Sequence, residues 1–280
     1  MAMARTDHVA EYRERGYTVI RGLFDAREIA EIAAATEAVH ADALARGRDW
    51  RHGNLFYRIA RGTDGAPRVQ MAQWIAWVSP VLDALRRDPR IAAVLAPLIG
   101  GDAKQIINQI HWKAPGAPGD FAWHQDSRFR KPDSAYRNLG DAYVQTGLAI
   151  DAHTFENGCM TVVPGSHRDG PLPLDTRGDV LGQAQEDHAL KVAGLDPAAV
   201  EPLLLEPGDL ALWSPFLVHG SAANRTTRPR RFYINGYVRA ADCDRGEWTF
   251  RNGEPVPLGP EPSLVHFEQL HARPEPHYTA

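Results

Sequence analysis

Residues 104–113, KQIINQIHWK, alternate with a period of two. Ile106, Asn108, Ile110 and Trp112 share one face, and Ile107, Gln109, His111 and Lys113 share the other. That period belongs to an extended strand. Upstream, the period is helical. Asp25 followed by Glu28 forms a capping-box pattern, Ile29, Ile32, Val39 and Ala43 line one helical face, and Gly47 is a stop. Ser79-Pro80 and Asp88-Pro89 open two further helices, the second ending near Gly100-Gly101. Before them, residues 17–21 (YTVIR) read as a short strand. Downstream, YVQTGLAID (143–151), CMTVV, LALW after Pro207-Gly208-Asp209, and RFYINGYVR after Pro229 all read as short strands between turns. Many short strands with turn signals between them predict a sandwich or barrel. The chain therefore reads as one domain over 1–280. Residues 1–103 are mainly helical, 104–240 form a strand-rich core, 165–203 form a Gly/Pro/Asp-rich lid-like insert, and 241–280 form a C-terminal extension.

A chain of 280 residues buries a substantial core. Its 44% hydrophobic and 24% charged content is that of an ordinary globular protein. The net charge of -4 argues against a nucleic-acid partner. No run approaches the roughly 18 apolar residues of a membrane span, and the start lacks the apolar core of a signal peptide. The expected setting is the cytoplasm, with a small molecule as partner. Cys159 and Cys243 allow one disulfide but no cysteine metal site.

Four His-x-acid triplets occur: His40–Asp42, His124–Asp126, His167–Asp169 and His266–Glu268. On a strand, side chains i and i+2 project together and can grip one ion. On a helix they lie about 200° apart and cannot. His40 falls in a helix, His167 follows a Pro-Gly-Ser turn, and His266 sits in a helical pattern. His124 and Asp126 remain, inside FAWHQDSRFR (121–130). They are either metal ligands or a structural hydrogen-bonded pair. His219, in LWSPFLVHGS, is the candidate third ligand. Two neutral imidazoles and one carboxylate make the facial set that suits non-haem Fe(II) and leaves coordination positions open. Neutral imidazoles are needed, so metal affinity is expected to fall below about pH 6. Arg230 lies eleven positions beyond His219 and suits bidentate capture of a carboxylate. Alternation does not decide between Arg230 and Arg231. Arg128, Arg130 and Lys131 follow the metal pair and offer themselves to an anionic substrate, or form a solvated basic loop. Arg128 keeps the parity of His124 and Asp126 if the strand continues.

The ordered set GYTVIRGLF (16–24), the Lys113 strand before WHQD, ENGCMTVVPGSH (156–167), PGDLALW leading to His219-Gly220-Ser221, and Asn224 to Arg231 resembles the phytanoyl-CoA dioxygenase-like family of Fe(II)/2-oxoglutarate-dependent oxygenases. The match covers most of residues 11–240. The resemblance implies a mainly β fold with flanking α-helices, a double-stranded β-helix or cupin-like jelly roll. It implies His124, Asp126 and His219 as catalytic iron ligands. It also implies Arg230 as the anchor of 2-oxoglutarate, helped by Ser221 and Lys113, with Gln109 and Phe121 lining that pocket. Iron, 2-oxoglutarate and O2 are the implied cofactor and co-substrates, and hydroxylation of a small polar or anionic metabolite is the implied reaction, with succinate and CO2 as products. Halogenating relatives replace the carboxylate ligand with a small residue, so Asp126 favours hydroxylation. The competing readings are a cupin-like metalloenzyme that does not use 2-oxoglutarate, and a non-catalytic binding module with a decayed site.

Overall fold

The structure is a computed structural model that describes residues 7–62, 65–115, 119–174 and 180–262; the His266–Glu268 pair lies outside the described residues. Helix α1 (Asp7–Arg15) leads into strand β1 (Tyr17–Ile20). Helix α2 (Ala26–Arg46) begins where the Asp25 side chain accepts from the Glu28 amide at 2.9 Å and the Glu28 side chain accepts from the Asp25 amide at 2.8 Å. It ends on Gly47 in the left-handed conformation. Such a cap contributes about 1 kcal/mol. Helices α3 (Pro80–Arg86) and α4 (Pro89–Ile99) start on the side-chain caps Ser79 and Asp88, each with proline in the first turn.

Between α2 and α3 the chain forms β2 (Trp50–His52), β3 (Leu55–Arg61) and β4 (Pro67–Gln73). The mainly helical reading of residues 1–103 omitted these three strands. They form a half-exposed meander, and Arg58, Arg61 and Arg68 interrupt any apolar alternation that would mark them. The remaining strands are β5 (Ala103–Lys113), β6 (Phe121–His124), β7 (Tyr143–Ala149), β8 (Met160–Val162), β9 (Glu201–Pro202), β10 (Leu210–Trp213), β11 (His219–Ser221), β12 (Arg230–Arg239), β13 (Glu247–Arg251) and β14 (Glu254–Pro255).

The larger sheet runs β1-β10-β7-β12-β5-β4-β3-β2, with β13 and β14 joined to it at β5; the smaller runs β6-β11-β8-β9. Together they form a jelly roll flanked by helices. Side-chain parity sorts the larger sheet's two faces. Ile110, Tyr233 and Tyr237 join Ile29, Leu82 and Leu95 in the apolar layer under the helices. Trp112 meets His40 of α2 at 5.3 Å between ring centroids. Ile107, Gln109 and His111 of β5, with Phe232 and Ile234 of β12, instead line a cavity of about 460 Å³ that Phe121, Met160 and His219 line from the smaller sheet. Both cysteines are buried and free.

Phe232 reaches that cavity across Gly147 of β7. A Cβ at Gly147 would fall 2.1 Å from Phe232 Cζ, so the ring must move toward the open space. Gly147→Ala is therefore expected to cost about 1–3 kcal/mol in urea unfolding and to shrink the cavity. An unaltered unfolding midpoint would show that the ring yields without strain.

Candidate active site

His124 closes β6 and His219 opens β11, and the two are direct cross-strand partners. Their ring centroids lie 4.2 Å apart. Asp126 sits two residues past the end of β6, at the start of a 3-10 turn over Asp126–Phe129, and lies between them. Asp126 Oδ1 is 4.0 Å from His124 Nε2, and Oδ2 is 3.8 Å from His219 Nε2. One ligand atom from each of the three residues lies within 4.8 Å of the others, and all three side chains are buried. Each imidazole donates through Nδ1 to the carbonyl two residues before it, Ala122 at 2.7 Å and Leu217 at 2.9 Å. Those bonds leave the Nε2 lone pairs facing the carboxylate. Trp213 Nε1 donates to Asp126 Oδ2 at 2.9 Å and orients it.

Burial, then the neighbouring His219, lowers the His124 pKa to about 3, so the ring stays neutral. Burial alone would raise the Asp126 pKa, but His219, His124, Arg130 and the Trp213 N–H bring it below its ordinary value. Two neutral imidazoles and a carboxylate anion are the donor set a hard-to-borderline divalent ion takes.

A second charged group lies along the same cavity. Arg230 is 3% exposed and lines it, whereas its neighbour Arg231 turns to the outer face and pairs with Asp151 at 2.7 Å and Glu37 at 3.0 Å. Arg230 Nη1 donates to the Gly158 carbonyl at 2.9 Å, and its Nε has no partner. Gly158 holds a left-handed turn whose Cβ position is blocked by the Ala222 carbonyl at 2.1 Å. Lys113 is the register partner of Arg230 on β5. It does not line the main cavity; its Nζ donates to Ser221 Oγ and to the Ala222 carbonyl. Burial, then Arg230, lowers the Lys113 pKa to about 6, and burial lowers that of Arg230 to about 10. Charge at both of these directly opposed positions is disfavoured, and an anion seated at this end of the cavity would offset the burial of Arg230 and favour the protonated Lys113. Gln109, Phe121 and Ser221 line it as well.

The strand does not continue through Arg128. The turn at Asp126 breaks the parity that favoured Arg128, and both Arg128 and Arg130 line the cavity, Arg130 the more deeply buried. Among the polar lining residues, Gln145, Arg58 and Gln73 escaped the sequence reading as site residues. β7 is buried along its whole length, so no polar–apolar alternation marks Gln145 as inward. Val180 and Leu181, from the 165–203 excursion, also wall the cavity and bond or pair with β6.

His111 lines the cavity with its Nδ1 unpartnered; burial, then Arg230 and Lys113, lowers its pKa to about 3. Burial likewise holds His153 well below its usual value. Unfolded, both titrate near 6.5. Their contribution to stability is full above that pH and is lost as the unfolded imidazoles take protons that the folded ones refuse, down to the folded value. The metal-free protein is expected to lose on the order of 2 kcal/mol per such histidine between pH 7 and 5. Urea midpoints that do not move over this range would contradict it.

The family Phytanoyl-CoA dioxygenase (PhyH) matches residues 12–232, and the chain belongs to it. The chain is 29% identical over 235 residues to a probable alpha-ketoglutarate-dependent hypophosphite dioxygenase of Stutzerimonas stutzeri, covering 82% of this chain and 77% of that one. It superposes with a TM-score of 0.62 on the epimerase SnoN in complex with Fe3+, alpha ketoglutarate and nogalamycin RO, at 26% identity over 93% of this chain and 98% of that one. It superposes at 0.68 on EctD from S. alaskensis with 2-oxoglutarate and 5-hydroxyectoine, at 23% identity over 94% and 89%, a likeness of fold. Among the described residues, no helix is long and apolar enough to cross a membrane.

Proposed function

We propose that this member of the phytanoyl-CoA dioxygenase family hydroxylates an unactivated C–H bond of a small polar or anionic metabolite. The protein is an Fe(II)/2-oxoglutarate-dependent dioxygenase. The observation that carries the reading is one cavity holding both the convergent His124, Asp126 and His219 side chains and the buried, anion-seeking Arg230. His124, Asp126 and His219 hold the iron. Arg230 binds the distal carboxylate of 2-oxoglutarate, and Ser221, held by Lys113, completes that pocket with Gln109 and Phe121. Bound iron with 2-oxoglutarate would supply O2 activation: one oxygen atom would end in succinate as CO2 leaves, and the other in the hydroxyl group of the product.

The chain's own residues do the rest. The Ala122 and Leu217 carbonyls fix the imidazole tautomers, and Trp213 fixes the carboxylate. Apolar walls from Phe232, Met160 and Val180 exclude water from the reacting region. The 165–203 insert acts as the lid of a single oxygenase domain, with Gln185 bonded to Thr161 at 2.7 Å as one of its ties to the smaller sheet. A cupin-like metalloenzyme without 2-oxoglutarate leaves the opposed Arg230 and Lys113 without an anion, and a decayed binding module leaves the intact ligand set without a use.

Anaerobic Fe(II) and 2-oxoglutarate added to the purified protein are expected to give a weak visible charge-transfer band. His219→Ala is expected to abolish it. Arg230→Gln is expected to raise the 2-oxoglutarate concentration needed by about 10- to 100-fold, the worth of a charge-assisted hydrogen-bonded pair. No band, and no succinate with any substrate tried, would end the oxygenase reading.

A further inference from the structure

Arg130 is 6% exposed and lines the cavity. No carboxylate forms an ion pair with it among the described residues, and its side chain makes no hydrogen bond there; its Nε is buried and unpartnered. Its guanidinium instead lies over the Tyr143 ring, 5.2 Å from the centroid. Its neighbours are accounted for otherwise: Lys131 pairs with Asp133 at 2.7 Å. A buried guanidinium facing a cavity without a counter-charge is unfavourable unless something that binds there supplies one.

The 2-oxoglutarate end of the cavity does not supply it. Tyr143 and Gln145 pair with Val238 and Gly236 of β12, eight and six residues along the strand from Arg230. At about 3.3 Å per residue that is roughly 20 Å or more. The surroundings of the two guanidiniums do not overlap either: Arg230 has Gly158 and Phe232, Arg130 has Tyr143. Asp126 is the acidic group whose charge reaches Arg130, and the metal claims that carboxylate. A divalent ion, Asp126, both carboxylates of 2-oxoglutarate and Arg230 balance one another without Arg130.

Beside Arg130, the Tyr143 hydroxyl donates to Gln145 Oε1, which leaves the Gln145 amide N–H as a donor. Gln145 also lines the cavity, and Phe129 and Ile234 provide apolar surface. The pocket thus offers a buried cation, a neutral donor and an apolar approach.

We infer that the substrate carries an oxyanion, a carboxylate or a phosphonate, that Arg130 binds at the end of the cavity away from 2-oxoglutarate, with Gln145 donating to the same group. The inference deepens the oxygenase reading and rests on it for the assignment of the Arg230 end. Arg130 sets which molecule enters and which carbon faces the iron.

Three probes of equal chain length test it: butylphosphonate, pentanoate and the uncharged pentanamide. Each is titrated calorimetrically into protein loaded with Mn(II) and 2-oxoglutarate. At least one anion is expected to bind about tenfold or more tightly than pentanamide. Which of the two binds more tightly identifies the headgroup. Arg130→Gln is expected to erase that preference while 2-oxoglutarate affinity stays within about threefold. Arg130→Lys, which keeps the charge should the glutamine variant fold poorly, is expected to retain part of the preference. Equal binding of the anions and the amide, no binding of any probe, or a preference that survives in Arg130→Gln would overturn the inference. So would a parallel loss of 2-oxoglutarate binding in that variant. Wild-type protein that binds the anions through Arg130 but never binds 2-oxoglutarate would sink the oxygenase reading and leave the anion site standing.

Discussion

The pairing of β12 with β5, ten register positions from Arg230↔Lys113 to Arg239↔Ala103, is the constraint on which the site depends. A strand offers alternate residues to opposite faces, so a slip of one residue would exchange them all. Arg230, Phe232 and Ile234 would turn to the helices, and Arg231, Tyr233 and Asn235 to the cavity. The outer face prevents the slip. Tyr233 donates nothing to the cavity; its hydroxyl accepts from Asn108 at 2.5 Å beneath the helical layer, and Tyr237 donates to the Arg86 carbonyl at 2.8 Å. Arg231 is held outside by Asp151, which accepts from both its backbone and its guanidinium. Contacts remote from the cavity thus decide which arginine faces it.

Those contacts also offset a site that opposes folding. Arg230, Lys113 and Arg130 are nearly dehydrated basic side chains in the walls of one fold, and Asp126 is a carboxylate between two imidazoles. For Arg230 and Lys113, burial outweighs what the protein partners return, and both pKa values fall. Sites of this kind are held in place by cooperation elsewhere in the fold. Here the apolar layer under α2, α3 and α4 provides it. Ligands that supply the missing charges are expected to stabilise the protein by mass action.

Much of this was legible in the sequence because local rules suffice for it. The capping box at Asp25, the stop at Gly47 and the alternation over 104–113 involve neighbours in the chain, and each appears in the structure where its pattern stands. His124 and Asp126 lie close for a different reason than strand parity alone. The strand ends at His124, and the following turn delivers Asp126 to the same side. Past that turn the two signals part: parity points to Arg128, burial points to Arg130, and both line the cavity. Trp213 is buried as a core residue is, yet its indole N–H is the one that orients Asp126. A dual role of that kind depends on which strand comes to lie opposite, a tertiary fact with no local signature. The β2–β4 meander was hidden because arginines interleave with its few buried residues, Leu55, Tyr57, Val69 and Ala72, and leave little period in hydrophobicity.

The placement of Asp126 off the strand has a further consequence. Were it on β6, its carboxylate would share the pleat rigidity of His124 and could not adjust without moving the strand pair with β11. On the turn, it is steered by a single side-chain bond from Trp213, whose ring stacks at 6.0 Å on Phe232 and whose strand β10 pairs with β7. Trp213 lies opposite Gln145 in that pairing. The residue that orients the Asp126 carboxylate is therefore packed against the wall beside Arg230 on one side and paired with the wall beside Arg130 on the other. The fold thereby joins the two ends of the cavity to that carboxylate through one indole ring.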